Sequence, residues 1–293
     1  MDTYSLRGGE QPIHKAGASL NLEEATHIIV ERARQLVGQM VTSKGNDMPP
    51  FLPEDFARMK GISKIEQADL GNTSAVLLKF HDGYVIKVNK NHHPVRQNFS
   101  CAHEIGHILF GELHLEHHLQ SIEYRTFNPS NTGRLRSSAK ERLCDIAATE
   151  LLMPENVFRR YLSDFGASVT SIEQLARTFK VSIPAAAIRI AEISLRPCLT
   201  MLWQHQIKRG MKTLKLAWCT NPGISFSAGV RYLPVNNSVR YPSVLHQAYD
   251  QGNIVNCYRQ FRHGGAVKRL LVESKGFGYG NTRYVISLAF LDN

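Results

Sequence analysis

The chain has 293 residues, 43 % apolar and 20 % charged, globular proportions that allow two or three domains and exclude collagen-like and largely disordered classes. No run reaches the roughly 18 apolar residues of a membrane-spanning helix. The first twenty residues lack a secretory apolar core, and five cysteines without a CxxC pair suit a reduced, cytoplasmic protein. The net charge of +10 is uneven: residues 1–196 carry 23 basic and 22 acidic groups, whereas 197–293 carry 12 and 3, which marks the last third as a separate basic module.

A flexible tail is expected over 1–20. Residues 22–41 have helical periodicity, with Ile28, Ile29, Ala33, Leu36, Val37 and Met40 on one stripe. A short helix is predicted at 53–59, with Pro53 in its first turn and Gly61 just past its end. Two β-rich runs, 74–80 and 84–88, flank Asp82-Gly83 and read as a hairpin. A helix follows at 97–110, then a polar stretch over 119–139 whose 128–133 segment (NPSNTG) is a loop. Further helices are predicted at 140–152, 154–165, 171–179 and 183–195. Beyond Pro197 the pattern changes to strands near 212–219, 270–273 and 282–291, with one short helix near 241–250.

The strongest chemical signal is His103-Glu104-Ile105-Gly106-His107. Imidazoles at i and i+4 share a helix face and suit chelation of one metal ion, while the intervening Glu104 can take a proton from the attacking water. With 13 His and 16 Glu in the chain, random placement would give such a pattern roughly 0.03 times, so the match is informative without being decisive. Its setting strengthens it: apolar neighbours on both sides predict a buried helix, where a bare histidine pair is costly.

A catalytic ion of this kind needs a third protein ligand. His114 is one candidate, but Gly111 and His114 sit one residue off the His-x-x-Gly-x-x-His spacing of the three-histidine pattern. The better candidate is Glu141, which shares a helix face with Asp145, placed to brace a ligand from behind. A solvated carboxylate at a helix start would also explain Glu141. Cys144 reads as a small core residue. No separate oxyanion donor is identifiable; Tyr124 and His114 are the nearest candidates.

Three segments together, YVIKVN (84–89), RQNFSCAHEIGHILFGE (96–112) and ERLCDIAATELLMP (141–154), resemble the ImmA/IrrE metallopeptidases, and the likeness continues over 171–193. Cys144, where Ala is commoner, and the insert between His107 and Glu141 depart from that pattern. The resemblance implies that His103, His107 and Glu141 hold Zn²⁺ (or Mn²⁺) and that Glu104 is the general base. It implies an α+β protein with a mainly helical, zincin-like peptidase domain bearing a small sheet (21–165), a helix-turn-helix-like module (166–196) and an α+β GAF-like, sensor-like domain (197–293). It also implies a substrate such as a helix-turn-helix repressor or antitoxin encoded nearby, whose cleavage switches on a stress or defence programme.

Within 171–193, Ser171 is the expected N-cap and Arg189 the one basic residue on the second helix. That helix is poor in base-reading residues, which favours a packing role over DNA contact. The C-terminal run of Tyr258, Arg259, Phe261, Arg262, Lys268 and Arg269 interleaves basic and aromatic groups, so Arg259, Arg262, Lys268 and Arg269 are candidate contacts for nucleic acid or a small ligand. The competing function is a DNA-binding transcriptional regulator with a structural or vestigial metal. Glu104 argues against it, because a structural ion needs no carboxylate between its ligands.

Overall fold

The computed structural model describes residues 21–113, 123–127, 134–208, 210–220 and 232–291. The tail expected over 1–20, the 128–133 loop and His114 lie outside the described residues. Helix α1 (Leu22–Lys44) starts at a reciprocal cap, with Asn21 accepting from the Glu24 backbone and the Glu24 carboxylate accepting from the Asn21 backbone. It ends on left-handed Gly45. Ile29, Ala33, Leu36, Val37 and Met40 of its predicted stripe are buried, and Ile28 is half-buried.

Helix α2 (Pro53–Ala57) runs into a 3₁₀ turn at Arg58–Lys60. Strand β1 (Ile62–Ala68) has no counterpart among the predicted elements, because Ile62 and Ile65 break the alternation by which a half-buried strand is recognised. The expected hairpin forms as β2 (Ala75–Phe80) and β3 (Gly83–Asn89), and β1 pairs with β3 in parallel. The sheet order is β1-β3-β2, which leaves β2 at an edge. Helix α3 (Pro94–Glu112), starting three residues before the prediction because His93 caps it and Pro94 opens it, packs against β2 and β3.

A short hairpin, β4 (Glu123–Phe127) and β5 (Arg134–Ser138), flanks the polar insert. Four helices follow: α4 (Ala139–Leu152), α5 (Glu155–Phe165), α6 (Val169–Phe179) and α7 (Ile183–Ile193). The cap of α6 is Ser168 rather than Ser171. Ser171 sits one turn inside the helix, wholly buried, and its hydroxyl accepts from the Ser168 backbone N–H.

The remaining residues build a seven-stranded antiparallel sheet from β6 (Cys198–Lys208), β7 (Met211–Thr220), β8 (Leu233–Pro234), β9 (Ser238–Arg240), β10 (Val255–His263), β11 (Ala266–Phe277) and β12 (Tyr284–Phe290). Their order is β8-β10-β11-β12-β6-β7-β9. Helix α8 (Val244–Gln251) lies against β10, β11 and β12 on one face, over a core that includes Trp203, Phe261, Leu270 and Val272. On the other face Leu202, Ile286 and Leu288 join the core formed by α1 and α3–α7. Two polar contacts fasten that second face to α6: Glu273 accepts from the Val169 backbone N–H at 2.8 Å, and Lys275 donates to Glu173 at 2.6 Å.

One buried ion pair ties α7 to α4. Arg189, 7 % exposed, donates to Glu150, 2 % exposed, at 2.5 Å and to the Met153 carbonyl at 3.0 Å. Replacing Arg189 by Met leaves the Glu150 charge without its buried partner. Urea unfolding of this variant is expected to lose about 3–5 kcal/mol, with a much smaller loss for Arg34→Ala at the exposed end of the same network.

Candidate metal centre

Helices α3 and α4 run antiparallel and meet backbone to backbone at Gly106. A Cβ there would stand 2.9 Å from the Cys144 carbonyl oxygen and 3.0 Å from its Cα, so no other residue fits without displacing α4. One turn apart on α3, the rings of His103 and His107 lie 4.9 Å between centroids. Opposite them α4 presents Glu141, Cys144 and Asp145. The Glu141 carboxylate lies 3.2 Å from His103 Nε2 and 3.7 Å from His107 Nε2. One donor atom from each of the three falls within 4.8 Å of the others, and among the described residues this is the cluster with metal-holding geometry.

Both histidines are braced from behind by α4. His103 Nδ1 lies 2.8 Å from Asp145 Oδ1, and His107 Nδ1 lies 3.3 Å from Cys144 Sγ. A carboxylate only accepts, so Nδ1 of His103 donates to Asp145, and Nε2, which faces the Glu141 carboxylate, is the nitrogen that would meet an ion. His107 is contacted at its Nδ1 by the Cys144 sulfur. Asp145 therefore stands where its spacing predicts, while Cys144, read from the sequence as core filling, touches a candidate ligand. Its signal was the three-residue spacing from Glu141, which puts both on one face of α4.

The electrostatics of the cluster favour a cation. Burial works against protonating His103, yet the hydrogen bond and charge of Asp145, with Glu141 and Glu104, more than offset it and raise its pKa. Burial, then the charge of His103, pushes the His107 pKa down. Glu104 is half-buried behind the pair. Burial and then the Glu141 charge raise its pKa against the pull of His103 and of the nearby Leu77 backbone on β2. Burial also pushes the Cys144 thiol up, so it stays protonated. Two imidazoles and one carboxylate, with the Glu141 side chain still 46 % exposed, fit a divalent ion held by three protein ligands with a position left open.

Residues 62–191 match the family described as the IrrE N-terminal-like domain, a peptidase family. This part of the chain belongs to the ImmA/IrrE metallopeptidases. The radiation response metalloprotease IrrE of Deinococcus radiodurans is 36 % identical over 109 residues, 37 % of this chain and 31 % of that protein. Its namesake in Deinococcus deserti is 33 % identical over 117 residues, 40 % of this chain and 39 % of that protein. The matched segments thus span 31 % and 39 % of these relatives. A Mycobacterium tuberculosis transcriptional regulator shares the fold over 92 % of this chain and 82 % of its own, with a TM-score of 0.52 at 16 % identity. Both motif histidines, Glu104 and Glu141 fall inside the ImmA/IrrE segment.

Arg189 and the C-terminal basic residues belong to elements other than α3 and α4. Arg189 is buried in the α4–α7 interface, so it is not presented to a DNA groove. The four C-terminal basic residues separate onto two faces of one hairpin. Arg259 and Lys268 pair with buried Leu270 and Phe261, and their cations lie over the rings of Trp203 and Tyr232. Arg262 and Arg269 point the opposite way, Arg269 stacking on exposed Tyr258. The side chain of Tyr124 lies outside the described residues.

Two substitutions test the centre. Asp145→Ala is expected to weaken metal binding about 10–100-fold, read by competition with a chromogenic chelator, while the helical circular dichroism persists. Gly106→Ala, which at an unhindered helix position would stabilise by about 0.5–1 kcal/mol, should lower thermal stability and metal affinity together, because it drives α4 away from α3.

Proposed function

We propose that this chain is a zinc-dependent endopeptidase acting on a specific protein substrate. The observation that carries the reading is Glu104: it lies in the sequence between the two histidines that face Glu141, and it is half-buried beside the edge strand β2. His103, His107 and Glu141 would hold the ion, Zn²⁺ in the first instance and Mn²⁺ as the other candidate. A divalent ion in such a setting supplies Lewis acidity toward a carbonyl oxygen and lowers the pKa of water.

The chain's own residues do the rest. Asp145 and Cys144 fix the orientation of the two imidazoles through their Nδ1 atoms. Glu104, whose burial raises its proton affinity, accepts the proton of the attacking water on its carboxylate and delivers it to the departing amine. The edge of β2 offers unpaired backbone groups along which an extended substrate segment can align.

On this reading 21–165 carries the chemistry, 166–196 is a helix-turn-helix-like packing module, and 197–293 is a GAF-like sensor domain that gates cleavage. The substrate is a helix-turn-helix repressor or antitoxin encoded nearby, cut in the cytoplasm as part of a stress or defence response. The radiation response metalloproteases of Deinococcus support this assignment by their names. None of the described helices is long and apolar enough to cross a membrane. A DNA-binding regulator has less support: the sole basic residue of α7 is buried, and the basic residues of β10 and β11 form no single face.

Co-expression with helix-turn-helix proteins encoded beside the gene tests the proposal. A metal-dependent cleavage product is expected from the wild type. Glu104→Gln should lower the cleavage rate by at least about a hundred-fold while metal content is unchanged. Equal cutting by both proteins would overturn the mechanism.

A further inference from the structure

A cleft of about 360 Å³ opens between the N-terminal half of α3 and the turn that joins α6 to α7. Val95 and Phe99 form its near wall, Val181 and Ala185 its far wall, and Arg96 stands at the rim. His93 and Ser182 also line it, but each already caps its own helix, His93 accepting from the Val95 N–H and Ser182 from the Ala185 N–H, so the walls are mainly apolar. Phe99 precedes His103 by four residues and Arg96 precedes it by seven, so all three share the face of α3 that bears the two histidines. The cleft thus opens one turn down the same helix from the metal centre.

The edge strand runs the same way. The Glu104 carboxylate lies near the backbone of Leu77, and Arg96 donates to the Ser74 hydroxyl at 3.1 Å. Eight residues of helix cover about 12 Å and three residues of strand about 10 Å, so α3 and β2 progress side by side from the rim of the cleft to the metal centre. An extended peptide on the outer edge of β2 would cross both. Phe99 lies about 6 Å along the helix from His103, a distance spanned by about two residues of extended chain.

We propose that this cleft is a specificity pocket that takes one large apolar side chain of the substrate (Leu, Ile, Met or Phe), within about two residues of the cleaved bond. The inference rests on the peptidase reading of the metal centre. The apolar walls offer a charged side chain no partner to replace its hydration, and the Arg96 guanidinium at the rim further disfavours Lys or Arg. The proposal also gives the α6–α7 unit a function that needs no DNA: its turn, held against α4 by Arg189 and Glu150, supplies the far wall.

Binding without turnover tests this. The probes are blocked peptide hydroxamates, which anchor on a bound zinc ion, carrying Leu or Gly at the first or second residue from the hydroxamate. Titrated into the zinc-loaded full chain carrying Glu104→Gln, the Leu compound should bind at least ten-fold tighter than its Gly counterpart at one of the two positions. Adding Ala185→Trp, which fills the cleft, should abolish that preference and leave the Gly compound bound within two-fold. Val95→Trp, from the opposite wall, should do the same and serves if the first variant does not fold. Equal binding of Leu and Gly compounds at both positions, or a preference that survives both fillings, overturns the pocket while leaving the metal centre intact. Failure of every hydroxamate to bind overturns the metal reading, and the pocket with it.

Discussion

The contact on which the site depends is between two backbones. Where α3 crosses α4, Gly106 leaves a gap that the Cys144 peptide fills, and a single methyl group would collide with it. Glycine inside a helix costs about 0.5–1 kcal/mol relative to alanine, so it persists only where close approach offsets that cost. The approach brings Glu141, Cys144 and Asp145 within reach of His103 and His107 without long, mobile side chains bridging the gap. A wider helix spacing would keep both histidines and lose the third ligand and both braces together.

The same α4 carries a second polar cluster at its other end. Glu150, wholly buried, accepts from Arg189 of α7 and from the Glu155 backbone N–H, and is paired with Arg34 of α1. A buried ion pair is weak evidence for stability, since apolar side chains of the same volume often serve as well. Its geometry is demanding, however, and four helices must be correctly placed for Glu150 to be satisfied. One helix therefore presents metal-facing residues at its start and the docking point of α7 at its end. Any displacement of α7, or of the C-terminal sheet fastened to α6 through Glu273 and Lys275, bears on a rigid element that ends at Glu141.

Most of the helices and the histidine pair are legible in the sequence, because helical periodicity and an i, i+4 spacing are local signals. Glu141 is a candidate from its own helix face and gains weight from the resemblance, since nothing in the 33 intervening residues says that two helices pack antiparallel. Cys144 is the buried core residue its sequence suggests, but its contact with His107 is not legible there, because a cysteine next to an imidazole looks like any small core residue. Strand β1 lacked alternation, and Ser171 was one turn out of place because Ser168 offered an equally good cap. The longest misreading was in the last third. There β6, β10 and most of β11 are half-polar strands, and their mixed composition reads as a charged surface run rather than as two faces of a sheet.

That misreading bears on what the basic excess means. In a strand, neighbouring residues point to opposite sides, so Arg259 and Lys268 are divided from Arg262 and Arg269 by the sheet itself. A duplex needs cations in register along one surface, whereas here each face holds half of them, and Arg259, Lys268 and Arg269 lie over aromatic rings. Only three carboxylates, Asp250, Glu273 and Asp292, occur in residues 197–293, and Glu273 is engaged at the α6 boundary. The positive charge of this module is therefore weakly compensated within it. It sets a field around a sheet that shares its core with the helices of the metal centre.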